Sequence, residues 1–170
     1  MNRVLNYSKR QKKNMVGNNK TIFDKLFEYA EEIMDNFKIY PYVSFIVKDN
    51  VIISRGYNRE RETFDLTNQD QVVSIREAQR ALDTGNLKGY SLYSFFEPTI
   101  LGFDIALWSG ISDFHWCINA KSYPLSYNPL NYTIKDYLKA HPNEITIEPG
   151  IREQKALQLT KKAEQGKYMI

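Results

Sequence analysis

The chain has 170 residues, long enough for one domain with a sizeable core, and its 42% hydrophobic and 25% charged residues are those of an ordinary globular protein. No uncharged apolar run approaches the ~20 residues that a membrane span needs. The single cysteine, Cys117, excludes an internal disulfide and a cysteine-rich zinc module. The polar beginning lacks the apolar stretch of a secretory signal, so a cytoplasmic protein without membrane attachment is expected. The net charge of +3 is unevenly spread, because residues 1–20 hold Arg3, Lys9, Arg10, Lys12, Lys13 and Lys20 with no acid, leaving the rest of the chain at −3. Such an arm can contact nucleic acid or simply keep the protein solvated. Solvation is the preferred reading, since Tyr7 is the arm's only aromatic residue.

From Thr21 to Asn36, Ile22, Phe23, Leu26, Phe27, Ala30, Ile33 and Met34 recur at three- and four-residue steps, which predicts an amphipathic helix. Two β-rich runs follow, Tyr42 to Lys48 and Val51 to Gly56. Asp49-Asn50 between them tolerates the left-handed conformation of a tight hairpin. Asn68 to Leu82 reads as a second helix, capped by Asn68 or Thr67 and followed by Gly85. Ser91 to Phe96 reads as a buried strand, 99–109 as an apolar helix ending at Gly110, and Asp113 to Asn119 as a fourth strand. A loop over 120–131, a helix over Thr133 to Ala140, a strand over Glu144 to Glu148 and a helix from Ile151 to about Gln165 complete the order. Strands alternating with helices after a hairpin predict a mixed sheet covered on both faces.

Four stretches carry a resemblance. Residues 46–59, from Ile46 through Asp49-Asn50 to Asn58-Arg59, resemble the opening hairpin of the cytidine/deoxycytidylate, guanine and tRNA-adenosine deaminases. Val72-Val73-Ser74-Ile75-Arg76-Glu77-Ala78 is similar to their first active-site helix. Leu92-Tyr93 through Glu97-Pro98, with Leu107-Trp108-Ser109-Gly110-Ile111, is similar to the strand and helix that follow. The ending, Glu144-Ile145-Thr146 with Gly150-Ile151, resembles their last strand and helix. The chain is thus identified as a member of the cytidine/deoxycytidylate deaminase superfamily over residues 21–165. The resemblance implies a three-layer α/β/α sandwich with a five-stranded mixed sheet; charge and length divide the chain into a basic arm over 1–20 and a single domain over 21–170.

In the resembled enzymes a histidine and two cysteines hold Zn²⁺, whose bound water is activated while a glutamate moves protons. The signature is H-x-E followed by P-C-x-x-C. Laid over this chain without gaps, it places Gln69 at the histidine and Gln71 at the glutamate, with Thr99 and Gly102 at the cysteines. A neutral amide, a hydroxyl and a hydrogen atom do not replace an imidazole and two thiolates, and Gln71 does not exchange a proton near neutrality. His115 and Cys117, two apart on one strand face, are short of the three ligands of a catalytic zinc and read as core residues. His141 reads as a surface residue.

Asn58 matches the asparagine that meets the base edge in the resembled enzymes, and equally suits a loop cap after the second strand. Val43 replaces a glycine at the pocket floor and is expected to add bulk there. Asp104, also at a glycine position, is a new polar contact or a solvent-facing change. Tyr123, Tyr127, Tyr132 and Tyr137 suit base stacking, an interface or packing within the domain. These observations give the expectation of a catalytically inactive, zinc-free homologue without catalytic residue, metal or cofactor. It would work by binding a nucleobase-like ligand at Asn58, Gln69, Gln71, Thr99 and Gly102. A partner subunit in a homo- or hetero-oligomer, or nucleic acid through the arm, are the other occupants. The alternative is a zinc-dependent deaminase releasing ammonia from an amino-purine or amino-pyrimidine.

Overall fold

A computed structural model of the protein describes residues 21–123, 133–140 and 145–168. The basic segment 1–20, Tyr127, Tyr132 and His141 lie outside the described residues.

Helix α1 spans Ile22–Phe37 and buries the predicted stripe from Ile22 to Met34. Its start is fixed by a capping box: Asp24 N donates to Thr21 Oγ1 at 3.2 Å, and Thr21 N to the Asp24 carboxylate at 2.9 Å. Strands β1 (Val43–Lys48) and β2 (Val51–Tyr57) form the predicted hairpin, with Asp49 and Asn50 both left-handed at φ 48° and 60°. A short helix α2, Glu60–Thr63, leads into α3, Asp70–Leu82. Strand β3 (Ser91–Phe96), helix α4 (Ile100–Trp108) and strand β4 (Asp113–Ile118) follow. Helix α5 (Ile134–Ala140), strand β5 (Thr146–Glu148) and helix α6 (Glu153–Gln165) end the order.

The five strands run β2-β1-β3-β4-β5 across the sheet. The pairs of β1 with β2 and β3 are antiparallel, and those of β4 with β3 and β5 are parallel. The period of two along each strand sends alternate side chains to opposite faces. Val43, Phe45, Val47, Phe95 and Cys117 pack with α1 and α6. Ile46, Leu92, Phe114 and Trp116 pack with α3, α4 and α5 on the other face. The result is the expected α/β/α sandwich. Each fully buried Leu or Phe in these layers, such as Leu26 or Phe114, is worth about 1.5–3 kcal/mol.

The ends of α3 differ from expectation. Gln69 is the residue before the helix and makes no capping bond with its side chain. Thr67 and Asn68 are engaged elsewhere: Thr67 Oγ1 donates to Asp65 Oδ1 at 2.7 Å, and Asn68 Oδ1 accepts from Arg76 Nη1 at 2.7 Å. The helix closes on Asp83, left-handed at φ 55°, rather than on Gly85. Gly56 lets α3 approach β2, because a Cβ there would collide with the Asp70 carbonyl and lie 2.6 Å from Ser74 N.

Candidate functional site

The starts of α3 and α4 lie together on one face of the sheet. Thr99 precedes α4 and accepts from Gly102 N at 3.1 Å through its hydroxyl oxygen, which caps the helix. The same hydroxyl donates to Gln69 Oε1 at 2.5 Å, tying the two helix starts together. One residue into α3 from Asp70, Gln71 is 98% buried and lies against Gly102. A Cβ at Gly102 would meet Gln71 Oε1 at 2.7 Å and Gln71 Cβ at 2.9 Å. Residues 69, 71, 99 and 102, separated by about thirty positions of sequence, therefore converge as the signature alignment requires.

Gln71 has a divided environment. Its Nε2 donates to Asp70 Oδ2 at 3.0 Å, while its Oε1 is buried with no hydrogen-bond partner among the described residues. Leaving such an acceptor unmatched costs about 1–3 kcal/mol. Asp70 itself is buried, with its carboxyl pushed up to about 7, mainly because burial disfavours the charge. The Ser44 hydroxyl bonded to it and the nearby backbone N–H groups of α3 act in the opposite sense. Ser44 also lies 2.9 Å from the hydroxyl of Ser74, which donates to the Gln71 carbonyl at 3.0 Å. This buried acid and its hydroxyl partners were not anticipated. An acid in the first turn of a helix usually reads as a solvent-facing partner of the dipole.

The superfamily's zinc does not fit these side chains. Two primary amides, a hydroxyl and a glycine supply neither imidazole nor thiolate, and Gln71 fills the space beside Gly102. Among the described residues no group of three or more His, Cys, Asp or Glu is placed to hold a metal ion. His115 and Cys117 face the α1 and α6 layer on the far side of the sheet. His115 stacks on Tyr93 at 4.3 Å, with its ring nitrogens 2.7 Å from Glu148 and 2.9 Å from Asp113. Cys117 is fully buried, and burial pushes its thiol up to about 12.

Gln69 and Thr99 are joined by a hydrogen bond, and Gln71 lies against Gly102. A cavity of about 500 Å³ opens beside Asn58, lined by Phe37, Tyr40, Tyr42, Tyr57 and the run from Arg59 to Glu62. Asn58 does cap, since its Oδ1 accepts from Glu60 N at 2.9 Å, and it also lines this cavity. The bond from Arg59 N to the Asn68 carbonyl, 2.9 Å, joins the cavity rim to the residue before Gln69. Val43 is fully buried against the α1 and α6 layer and adds no bulk to the cavity. Asp104 is a polar contact, accepting from the Tyr137 hydroxyl at 2.7 Å. The aromatic wall went unpredicted because it is assembled from the end of α1, the turn before β1 and the end of β2.

No protein-family model matches the chain. A stretch of 61 residues is 39% identical to the tRNA-specific adenosine deaminase of Aquifex aeolicus, over 36% of this chain and 40% of that protein. The fold matches the guanine deaminase of Nitrosomonas europaea with a TM-score of 0.71 over 82% of each chain, at 17% identity. A tRNA:A34 deaminase gives a TM-score of 0.62 over 81% of this chain and 96% of the other, at 19% identity.

The chain has the cytidine-deaminase-like fold.

Its strand order, the hairpin and the paired helix starts are those of that fold. The comparisons overturn the expectation of a catalytically inactive homologue working by binding alone, because the proteins matched are themselves named deaminases. They side with the alternative, a deaminase of amino-substituted nucleobases. Among the described residues no helix is long and apolar enough to cross a membrane.

Proposed function

We propose that this chain takes an amino-substituted nucleobase, free or within a nucleotide, into the cavity beside Asn58 and acts on it as a hydrolytic deaminase. One water adds at the carbon bearing the amine, ammonia leaves, and an oxo group takes its place. The observation that carries this reading is the 61-residue match, at 39% identity, to a protein named as a deaminase of adenosine in tRNA. The aromatic walls support it, since Tyr and Phe rings offer stacking faces to any base.

In this proposal Asn58 orients the ring edge with its amide. Gln69 and Thr99, bound to each other, and Gln71 over Gly102 form a neutral polar spot beyond the cavity rim. The ligand-binding set proposed is Asn58, Gln69, Gln71, Thr99 and Gly102. No step is assigned to a metal, because the donor set does not fit one. The described residues are taken as one domain that follows a basic segment over 1–20. The partners are a nucleobase-like small molecule, RNA contacted by that segment, and a further subunit.

Ammonia release tests the reading, with adenine, guanine, cytosine, their nucleosides and tRNA as substrates and the oxo product confirmed by mass. Saturable release that Asn58→Ala lowers at least tenfold in kcat/KM is expected. Release no faster than buffer alone from every substrate would overturn it.

A further inference from the structure

The amide of Gln71 meets a different neighbour at each end. Its Nε2 donates to Asp70 Oδ2 at 3.0 Å. Its Oε1 faces the first turn of α4, where the hydrogen that Gly102 carries in place of a Cβ points at it; a Cβ there would lie 2.7 Å away. Both Gln71 and Asp70 are buried, so neither side chain exchanges its partners with bulk water. A carboxylate only accepts, so a charged Asp70 requires the amide nitrogen and turns the oxygen towards α4. A carboxylic acid has one O–H to give, and Gln71 Oε1 is the acceptor beside it that has no hydrogen-bond partner among the described residues. The groups around Asp70 set when one arrangement gives way to the other. Burial disfavours its charge, the Ser44 hydroxyl on β1 and the N–H groups of residues 70 and 71 favour it, and Glu60 on α2 disfavours it. Tyr29 on α1 lies within its field, Ser74 on α3 bonds Ser44 at 2.9 Å, and on β2 Gly56 meets the Asp70 carbonyl without a side chain.

We propose that Asp70 is the positioning residue for Gln71: as a carboxylate it holds the amide nitrogen and turns Oε1 to the start of α4, and on taking up a proton it takes the oxygen and turns Nε2 there instead. Gln71 belongs to the ligand-binding set proposed above, and to that extent the inference rests on that reading. The spot beside Gly102 then offers an acceptor when Asp70 is charged and two N–H donors when it is neutral. A ligand group seated against Gln71 is matched as a donor in the first state and as an acceptor in the second. The two states also differ in how the helix starts meet. The start of α4 carries partial positive charge, which attracts the amide oxygen and repels the N–H groups, so proton uptake weakens the contact between α3 and α4. The proton itself goes no further than the Asp70 carboxyl, and no bond other than hydrogen bonds is exchanged.

The test is proton–nitrogen NMR of the full chain with labelled glutamine, followed from pH 5 to pH 8, with the Gln71 signal assigned by its loss in Gln71→Met. Both amide protons of Gln71 should follow one titration curve with a midpoint near 7. Below that midpoint they should show Overhauser contacts to the Gly102 Hα protons, and above it those contacts should be absent. Asp70→Asn, whose side chain gives and accepts alike at every pH, should abolish the curve. Ser44→Ala removes a hydrogen bond that favours the charged carboxyl, so the midpoint should move to higher pH. This second variant keeps the test decisive if Asp70→Asn does not fold. A Gln71 signal that does not titrate overturns the proposal, as does a titration without new contacts to Gly102, one that survives Asp70→Asn, or one whose midpoint is unmoved in Ser44→Ala. Ammonia release has no part in these readouts. Ammonia released by a protein whose amide stays fixed would sink the positioning role and leave the reaction. A turning amide in a protein that releases no ammonia would do the reverse.

Discussion

Replacing Asp70 by Asn should make the protein's stability nearly independent of pH between 5 and 8 in a way the parent is not. Asp70 is 97% buried, and its carboxyl is held near 7 against an ordinary 3.8, chiefly by burial. A carboxyl whose folded pKa is raised stabilises the folded state fully below about 3.8 and loses that contribution as pH rises through about 7. About three units at 1.36 kcal/mol each give roughly 4 kcal/mol, an upper bound because water entry and small rearrangements relieve part of the cost. Asn keeps the shape and an acceptor for the Gln71 amide, whose Nε2 lies 3.0 Å from Asp70 Oδ2, but carries no charge. Urea unfolding at pH 5 and pH 8 measures the effect for both proteins. At pH 5 the parent should trail by up to about 1.6 kcal/mol, since the loss starts at the ordinary 3.8 and runs at 1.36 kcal/mol per unit. At pH 8 the Asn protein should be more stable by several kcal/mol, up to the bound above. Parallel pH dependences in the two proteins would refute the assignment of a buried, charge-averse carboxyl at this position.

Two further outcomes follow from the same pair of helix starts. Gly102→Ala places a methyl 2.9 Å from Gln71 Cβ, which is fixed to its helix, so overpacking of about 1–3 kcal/mol outweighs the ~1 kcal/mol of helix propensity gained. A fall of a few degrees in Tm is expected, and an unchanged or higher Tm would show that the contact relaxes freely. Combining Gln69→His, Gln71→Glu, Thr99→Cys and Gly102→Cys should create a zinc site, read by competition with a chromophoric chelator. A folded variant with no gain in zinc affinity would break the residue-by-residue alignment.

The elements legible in the sequence are those whose signal is local. The stripe from Ile22 to Met34 and the Asp49-Asn50 turn each decide a structure from neighbours along the chain, and both hold. The convergence of residues 69, 71, 99 and 102 was legible only through resemblance, since nothing local in Gln69 or Thr99 points across to the other. Helix α2 was missed because Glu60–Thr63 contains no apolar residue to repeat. The cavity was missed for a different reason: Phe37, Tyr40, Tyr42 and Tyr57 each look like ordinary core residues until α1 and the hairpin bring them together. Asp70 was missed because its burial depends on Gly56, fourteen residues earlier, which lets α3 settle onto β2.

The residues at the two helix starts fit one another as a set. Thr99 keeps the capping role that any short polar side chain fills at that place, and its hydroxyl proton goes to Gln69. With glycine at 102, the longer amide of Gln71 lies flat where a side chain would otherwise stand. Restoring one residue of the signature alone therefore meets an obstacle: a cysteine at 102 would press on Gln71, and a histidine at 69 would strand the Thr99 hydroxyl. The acceptor of Gln71 remains unmatched in this arrangement, while its donor is spent on Asp70. A deaminase built on these side chains has to draw its proton chemistry from groups other than the glutamate of the signature. Asp70, in contact with Gln71 and holding a carboxyl near 7, is the titratable group that the fold has brought closest to that position.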